Sequence, residues 1–396
     1  MKLRNLFLAA IVALGMMACN NEEVPQIEGA DATISIKVMP SSNGSGTRAV
    51  GDLSTANATT SPGLTAESTV HSLEVWVFLG DVLDAYKSAS GNEVADIPAH
   101  VGDRTIVVAA NATIGTQTSL TTLKDLLKDL PPADISTGGL IMTAEPFNVT
   151  LTQGNNYYGY TDAQVTAKTG VNKNHLADNK VPLPITRVNA RVAIVSAVLD
   201  YDNVPANQKV AFDALKDVEV AMFNVPKQTK LFGTNLATNT TYQFGAKWVS
   251  PNNTYVGAND ASASANSLLY NTVADALPVV NTLAPYYYVN ESNGSDKMFI
   301  VLRAKVYKNK TVVTNLNGLF TDVDGYTYYP VWVNKDGLTL NGNIGNSNVY
   351  RNTQYNITLT IKGLGNPNID EVENAWLDVM VKVEDWKVVN QNVTWN

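Results

Sequence analysis

The most reactive side chain in the sequence belongs to its one cysteine, Cys19, which lies at the end of an apolar leader. Lys2 and Arg4 give the leader a positive start, and an apolar run follows over residues 6–14. This run is too short to span a bilayer and is typical of a signal sequence. Small residues before a cysteine at this distance form a lipobox, so we expect removal of residues 1–18 and lipidation of Cys19. The alternative is an ordinary cleavage site with a chance cysteine.

A strand-forming segment, Ala32–Met39, lies between this leader and the polar run Ser41–Arg48. Ile34, Ile36 and Val38 alternate with polar residues, which is the period of a half-buried strand. The strand is therefore tied to a removable leader on one side and to a flexible loop with one arginine on the other. This arrangement indicates a placeholder strand whose removal starts assembly.

The remaining residues with chemical potential do not combine into a catalytic or metal site. Asp322-Val-Asp-Gly325 has the spacing that begins a calcium loop, but no acidic residue follows at the closing position. An Asp-Gly turn is the better interpretation. The histidines are separated in sequence and favour ordinary surface positions: His71, His100 and His175. We expect no enzymatic activity, no metal and no cofactor.

The aromatic residues raise the question of carbohydrate binding, since the chain has 6 tryptophans and 17 tyrosines. An exposed row of aromatic rings could form a sugar platform. Strand patterns instead favour core or cross-strand packing. The tryptophans to which this applies are Trp76, Trp332, Trp376 and Trp386.

Composition narrows the class of protein. The chain has 396 residues, 28 Lys and Arg, 36 Asp and Glu, and a net charge of −8, with no basic cluster, so nucleic acid is excluded as a partner. A content of 45% hydrophobic and 16% charged residues is typical of a globular protein. The length exceeds what one core usually holds and predicts two domains behind the leader.

Short alternating runs separated by Asn, Gly, Asp and Thr predict an all-β fold of two tandem β-sandwich domains with minor helix. The passage between domains falls near Arg187, inside the long run Leu183–Asp200. Leucine spacing predicts one helix over Ser119–Leu130, and Phe147–Thr152 with Asn156–Tyr160 predicts a hairpin around a glycine. We therefore expect a signal peptide over residues 1–18 and a segment with the placeholder strand over residues 19–48. The N-terminal β-sandwich then covers residues 49–187, and the C-terminal β-sandwich covers residues 188–396.

The C-terminus is unusually apolar for a chain end. It carries a long alternating run and then a second apolar segment that reaches the last residue but one. One interpretation is pairing within its own domain, and the other is addition to the sheet of a neighbouring subunit. The sequence leaves open which of the two segments would donate. Their apolar residues are Leu377, Val379, Val381 and Val383 in the first, and Val388, Val389, Val393 and Trp395 in the second.

Taken in order, several stretches resemble the major fimbrial subunit, fimbrillin, of the type V pili of Bacteroidetes, with the fimbriae of Porphyromonas as the best-known case. The matching stretches span nearly the whole chain, and 139–146 and the Gln-Asn-Val-Thr-Trp end are the more specific ones. They are Leu14–Asn20, Ala32–Ile36, Gly139–Pro146, Arg187–Arg191, Lys230–Gly233, Tyr326–Pro330 and Trp386–Trp395.

The resemblance implies a structural protein with transthyretin-like domains and a defined assembly route. The precursor is lipid-anchored (palmitate) at the outer membrane through Cys19, and a secreted arginine-specific protease cuts between Arg48 and Ala49. Loss of the placeholder strand then opens a groove that a neighbour's C-terminal strand fills. Arg48 is the only arginine between Arg4 and Arg104, which agrees with this assignment. The cleavage loop, rich in Gly and Ser, and the Asn that follows Trp395 depart from the family.

The expected function is therefore a shaft pilin that polymerises by donor-strand exchange and contributes to virulence through adhesion to host and bacterial surfaces. Its expected partners are copies of itself, accessory fimbrial subunits, the protease and surface receptors. One alternative is a glycan-binding surface lipoprotein that never polymerises. Another is a tip or anchor subunit of the same fimbria.

Overall fold

A computed structural model shows an all-β protein of two tandem β-sandwich domains with short helices. The parts of the chain that the structure describes are residues 29–41, 65–131, 135–170, 172–176, 180–233, 242–243, 269–280, 286–292, 297–314, 316, 319–334, 339–340, 343–344, 347–369 and 377–385.

The strands of the N-terminal domain are β1 (Ala32–Pro40), β2 (Ser72–Leu79), β3 (Val82–Ser90), β4 (Glu93–Ala99), β5 (Gly102–Ala110), β6 (Leu127–Asp129), β7 (Met142–Thr143), β8 (Phe147–Leu151), β9 (Gly154–Tyr158), β10 (Lys173–His175) and β11 (Leu183–Arg187). Those of the C-terminal domain are β12 (Asn189–Leu199), β13 (Ala214–Phe223), β14 (Val225–Pro226), β15 (Gln228–Lys230), β16 (Tyr242–Gln243), β17 (Tyr270–Ala276), β18 (Val279–Val280), β19 (Tyr286–Asn290), β20 (Phe299–Lys308), β21 (Thr311–Val312), β22 (Tyr326–Trp332), β23 (Thr339–Leu340), β24 (Asn343–Ile344), β25 (Thr353–Ile361) and β26 (Leu377–Asp385). The helices are α1 (Leu120–Lys124), α2 (Asp162–Ala167), α3 (Ala206–Lys209) and the 3-10 turns Thr65–Ser68 and Tyr201–Asn203.

The N-terminal domain is built on one strand sequence, β10-β9-β1-β11-β7-β5-β2-β3, with β4 added beside β1 and β8 beside β5. Alternating apolar residues of β1, β2, β4 and β5 meet in its core, which forms because each strand buries every second side chain. Among the described residues β1 is the first strand along the chain, but it lies in the interior of this sheet, between β9 and β11. A segment near the start of the chain therefore occupies a central position in the sheet.

The C-terminal domain is a sandwich of two sheets. One has the order β18-β12-β25-β26 with β19 also beside β12, and the other has β17-β13-β20-β21 with β22 beside β20. The main core lies between them and contains side chains from both sheets, for example Ile194, Val220, Leu302 and Ile357. Within its sheet, β26 is the last strand and pairs with β25 over nine residues.

The domains meet where β11 ends and β12 begins, and Val188 separates these two strands. A short antiparallel pair also joins them, because β6 of the first domain pairs with β15 of the second. Leu231 and Phe232 then pack into a cluster with Trp76 and Phe78 of the N-terminal domain. Backbone hydrogen bonds and apolar packing therefore both hold the two domains together at this junction.

The predicted helix over 119–130 is wrong in length. α1 begins after Ser119, whose hydroxyl accepts a hydrogen bond from the Thr122 N–H, and it ends at Lys124. Residues 127–129 form β6 instead. A continuing helix would take up the backbone groups that β6 uses to pair with β15, so the contact with the second domain overrides the local leucine spacing.

The predicted hairpin around Gly154 is also wrong. β8 pairs with β5, whereas β9 pairs in parallel with β1. The Asn156 amide donates to the Thr152 carbonyl oxygen at 2.8 Å, and its Oδ1 accepts from the Thr152 N–H at 3.1 Å. These side-chain bonds close the turn without a ladder, which leaves β9 available for β1.

Within the described ranges, we find no helix with the length and apolar content needed to cross a bilayer.

Candidate strand-exchange groove

β1 is hydrogen-bonded to neighbours on both sides. On one edge it runs antiparallel to β4, from Ala32 opposite Ala99 to Lys37 opposite Glu93. It also runs parallel to β9, and its last three residues pair in parallel with β11. Because partner strands flank it, removal of β1 would leave an open slot whose walls present unpaired backbone groups.

The inward face of β1 is completely buried. Ala32 is 4% exposed, and Ile34, Ile36 and Val38 are each 0% exposed. Together they supply 4 of the 18 buried residues in the main core cluster of this domain. Burial of the three larger side chains contributes about 5–9 kcal/mol, an upper estimate because an unfolded chain already buries part of its surface. The core of the domain therefore depends on a strand at the chain's N-terminal end.

A β-bulge in β4 faces the middle of β1. The register shifts between Ile34 and Ile36, so Ser35 lies opposite two residues of β4, Ala95 and Asp96. Asp96 has a φ of 52°, in the left-handed region. Its N–H donates to Ser35 Oγ at 3.0 Å, and Ser35 is only 1% exposed. A side chain of β1 therefore satisfies a backbone donor that the ladder leaves over.

The outward face of β1 is only partly covered, by the segment after β9, which agrees with the half-buried strand that the sequence predicts. On this face Thr33 and Lys37 are half-buried, and Met39 is exposed. The Tyr160 ring lies 5.9 Å from the ammonium of Lys37 and 5.2 Å from that of Lys168. Lys168 also forms an ion pair of 3.0 Å with Glu93. Burial raises the pKa of Tyr160. Burial also tends to raise the pKa of Glu93, but hydrogen bonds from Lys168 and Tyr160, together with the charges of Lys168 and Lys37, outweigh it and lower this pKa.

Gly159 brings the backbone into direct contact with β1. Its φ is 82°, and a Cβ at this position would collide with the carbonyl oxygen of Lys37. It would also approach the backbone nitrogen of Leu183 to 3.1 Å. Glycine is therefore required both for the conformation and for the space beside β1.

Both ends of β1 are fixed by polar contacts. At the start, the Asp31 carboxylate accepts a hydrogen bond from the Val101 N–H at 2.8 Å. At the exit, the Ser41 N–H donates to the Ile185 carbonyl oxygen at 2.8 Å, and the Ser41 carbonyl oxygen accepts from Asn352 Nδ2 at 3.4 Å. Asn352 belongs to the C-terminal domain, so the exit of β1 lies at the domain junction.

The turn Thr65–Ser68 lies at the same junction and contributes to a buried ionic cluster. Glu67 is 0% exposed, and its carboxylate accepts from Arg191 Nη1 at 2.7 Å and from the Tyr288 hydroxyl at 3.0 Å. Arg187 Nε donates to the Glu67 carbonyl oxygen at 2.7 Å. Burial lowers the pKa of Arg187 to about 10, although the charge of Glu67 opposes this shift. The cluster fixes the turn to both domains.

Arg187 and Asn352 link these two anchor points. Arg187 Nη2 donates to Ser68 Oγ at 2.8 Å, and its Nη1 donates to Asn352 Oδ1 at 3.0 Å. Asn352 in turn contacts Ser41. The two ends of the segment 42–64, which contains the predicted cleavage position, therefore converge on one pair of side chains.

Several predicted site residues lie outside the described residues, namely Cys19, Arg48, Ala49, Val388, Val389, Val393 and Trp395. The other C-terminal candidates, Leu377, Val379, Val381 and Val383, lie on β26 and pair with β25 of their own domain. The structure thus brings together the placeholder residues Ile34, Ile36 and Val38, and it places the first candidate donor segment in its own sheet.

The candidate calcium-loop and sugar-binding residues described below make contacts that stabilise the fold. Asp322 Oδ1 accepts from the N–H groups of Asp324 and Tyr326, at 2.9 and 2.8 Å, as expected of a turn. Trp76 is fully buried and donates to the Gly115 carbonyl oxygen at 3.0 Å, which confirms the packing interpretation for this residue. No group of three or more His, Cys, Asp or Glu residues suited to a metal ion occurs among the described residues.

Sequence reasoning missed Glu67, Asp96 and Gly159. Gly159 follows an aromatic strand segment, and a glycine at a strand end is a usable signal of close backbone approach. Glu67 lies in a Thr-Ala-Glu-Ser stretch that carries no local sign of burial. Asp96 is one polar residue in a short strand, and only its pairing with β1 creates the bulge.

The fold and sequence match known fimbrial proteins over their full length. The family model described as major fimbrial subunit protein (FimA) matches residues 32–187, and that described as FimA4 pilin C-terminal domain matches residues 196–386. The chain is 32% identical over 428 aligned residues to a major fimbrium subunit FimA type-2 of Porphyromonas gingivalis, covering 100% of both chains. It is 31% identical to a type-3 subunit of the same organism, again covering 100% of both.

A solved structure agrees with these sequence matches. The crystal structure of a fimbrilin from Porphyromonas gingivalis W83 superposes with a TM-score of 0.70 at 26% identity, covering 92% of this chain and 100% of that one. Fold and sequence therefore define a fimbrial subunit, a component of a cell-surface fimbrium. The chain belongs to the major fimbrial subunit (FimA) family, and the relatives that it matches are of the Porphyromonas type.

Proposed function

We propose that this protein is a structural pilin of the fimbrial shaft and that it polymerises by protease-triggered donor-strand exchange. The observation that carries the proposal is the position of β1. It is the N-terminal strand of the described chain, yet it is flanked by β4 and β9 and supplies Ile34, Ile36 and Val38 to the core. A single cut after β1 separates this central strand from the rest of the subunit, and its loss would leave a groove of matching shape.

The proposed cut separates Arg48 from Ala49. The residues on either side of segment 42–64 are anchored separately, Ser41 by Ile185 and Asn352, and the turn after the segment by the cluster around Glu67. Cleavage would therefore free β1 from the following chain without releasing the anchor at Glu67, which stays with the subunit.

Release of β1 after cleavage requires an incoming strand that replaces it. Because burial of β1 contributes several kcal/mol, cleavage alone does not eject it. Cleavage lowers its effective concentration, because a tethered strand at about millimolar effective concentration becomes a peptide that dilution can remove. A neighbour's strand that buries similar apolar area then replaces it, as in other forms of β-augmentation.

We assign the donor role to the segment after β26. β26 already pairs with β25 over nine residues, so its withdrawal would break that ladder and open the sheet of the C-terminal domain. The segment 387–396 follows β26 and carries Val388, Val389, Val393 and Trp395. It can be donated while β26 stays in place.

Before assembly, the precursor is processed and held at the outer membrane. Residues 1–18 are a signal peptide, residues 19–48 a propeptide with the placeholder strand, and residues 49–187 and 188–396 the two domains of the mature subunit. Cys19 carries the lipid that anchors the precursor at the outer membrane. In the fimbria, the subunit contacts further copies of itself and accessory subunits, and it contributes to adhesion to host and bacterial surfaces.

The experiment compares the full-length precursor with Arg48→Ala in the presence of the arginine-specific protease. The unchanged chain should yield a mature N-terminus at Ala49 by mass spectrometry and form polymers that electron microscopy detects. Arg48→Ala should stay a monomer. As a control, Ser45→Arg combined with Arg48→Ala returns an arginine to the loop and should restore both processing and polymers. Fibres from Arg48→Ala alone, or a mature chain that begins at a lipidated Cys19, would contradict the proposal.

A further inference from the structure

The groove that β1 occupies needs a hydrogen-bond acceptor from the strand that fills it, in addition to apolar side chains. The Asp96 N–H at the bulge of β4 donates to Ser35 Oγ, and Ser35 lies between the buried Ile34 and Ile36. When β1 leaves, this donor loses its partner. When another strand enters, the donor is buried again and needs a new acceptor, because a buried backbone N–H without one is costly.

An incoming strand therefore fits best with an apolar residue, then a side chain that accepts a hydrogen bond, then a second apolar residue. The backbone of a strand cannot supply this acceptor, because the bulge displaces Asp96 from the regular ladder. Serine, threonine and asparagine can supply it from the side chain. The requirement fixes register, since a shift by one residue would turn the apolar pair away from the core.

In the C-terminal segment 387–396, one triplet has this pattern, Val393-Thr394-Trp395. It is the same when read in either chain direction, so it fits the bulge whichever way the strand enters. β26 contains a related triplet with Asp378 at its centre. That triplet is paired with β25, and its carboxylate would enter beside the carboxylate of Asp96. Like charges at short range disfavour this second choice.

We propose that Thr394 of a second copy takes the place of Ser35 in the groove, accepts the hydrogen bond from the Asp96 N–H and thereby sets the register of strand exchange. Val393 and Trp395 then occupy the positions of Ile34 and Ile36. This inference rests on the proposed donor-strand exchange and adds a specificity-determining residue to each of the two competing strands.

The same hydrogen bond exists in both states, so its removal has opposite effects on the two strands. Ser35→Ala weakens only the placeholder and should increase release of β1 after cleavage. Thr394→Val, which keeps shape but removes the acceptor, weakens only the incoming strand and should reduce polymer. Loss of such a bond corresponds to about 5- to 150-fold in the affinity of the affected strand.

The test uses full-length precursors, cut by the arginine-specific protease at equal concentration. The polymer fraction is measured by sedimentation, and retained β1 by mass spectrometry of the monomer. Thr394→Ser keeps a hydroxyl and should polymerise like the unchanged chain, whereas Thr394→Val should need a several-fold higher concentration. Asn390→Ala, in the same segment, serves as the matched control and should have little effect. Equal thermal unfolding of the uncut variants establishes that all fold.

The outcomes separate this inference from the proposed function. If the unchanged chain does not polymerise after cleavage, strand exchange itself is wrong. If it polymerises and Thr394→Val polymerises equally well, the role of Thr394 is wrong while strand exchange stands. Should Thr394→Val fold poorly, Ser35→Ala decides alone: unchanged retention of β1 would refute the importance of the Asp96 donor.

Discussion

Ile36→Ala is the substitution that most directly measures how strongly β1 is bound. Ile36 is 0% exposed, pairs with Val94 on β4 and with Tyr158 on β9, and belongs to the main core cluster. Truncation to alanine removes apolar contact and leaves a cavity. Because β4 and β9 flank β1 and the other side chains of the domain core enclose its inward face, the surroundings have little freedom to collapse into this cavity.

The size of the effect follows from that geometry. Buried isoleucine-to-alanine changes cost about 2–5 kcal/mol, and the enclosed position of Ile36 favours a value of about 3 kcal/mol. In the uncut precursor this loss lowers the free energy of unfolding. In the cut protein the same loss shifts the equilibrium between bound and released β1 toward release. A loss of about 3 kcal/mol corresponds to about 150-fold weaker retention of β1.

The assay follows β1 after cleavage of the full-length chain. Monomer is isolated by gel filtration, and the propeptide that remains bound is quantified by mass spectrometry over a dilution series. Met39→Ala is the matched control, because Met39 lies on the same strand but is 45% exposed. It should change retention by less than about threefold, since exposed substitutions stay within about 0.5 kcal/mol. Equal retention in Ile36→Ala and the unchanged chain would refute the idea that the inward face binds β1.

Three further predictions concern the surroundings of the groove. Gly159→Ala should weaken retention of β1 and lower stability by about 1–3 kcal/mol more than Gly91→Ala, because their φ values are 82° and 81° but only a Cβ at Gly159 meets the backbone of β1; equal effects in urea unfolding would contradict this. Glu67→Ala should cost about 3–5 kcal/mol in thermal unfolding, because it removes the carboxylate from a buried ion pair; a loss below about 1 kcal/mol would show that the cluster is dispensable. Burial tends to raise the pKa of Asp84, but hydrogen bonds, the first from Arg104, outweigh it and set the folded pKa below 3.8. Its contribution is therefore present above about pH 4 and is lost as the pH falls below that value, so Asp84→Asn should be less stable at pH 7 and should lose less stability between pH 5 and 3.

Much of the fold could be predicted from the sequence where the pattern is local. β2, β5, β19, β20 and β25 fall on segments whose alternating or continuous apolar residues predict strands. Side chains two residues apart share one face of a strand, so a strand with one buried face has an apolar residue at every second position.

Other elements depend on partners far away in the chain. Leucines over 119–130 have helical spacing, but only five residues form α1 and the next segment pairs with β15 of the other domain. The segments around Gly154 have the form of a hairpin, but β9 pairs with β1, more than 100 residues away in sequence. Local spacing cannot contain this information, because the competing partner is elsewhere in the chain.

The amino-acid sequence alone establishes the family resemblance and the chemical character of single positions. It contains one cysteine after an apolar run, one arginine in a polar stretch, an alternating segment with Ile34 and Ile36, and an apolar C-terminal segment. The roles of Cys19, Arg48 and the chain end stay predictions. Three features become visible only in the folded chain: strands enclose β1 on both sides, the Asp96 N–H needs an acceptor beside it, and Glu67 is buried in an ionic cluster at the junction. The physical reason is that a residue's own type fixes what it can donate, accept or bury, whereas its partners are set by contacts between distant parts of the chain.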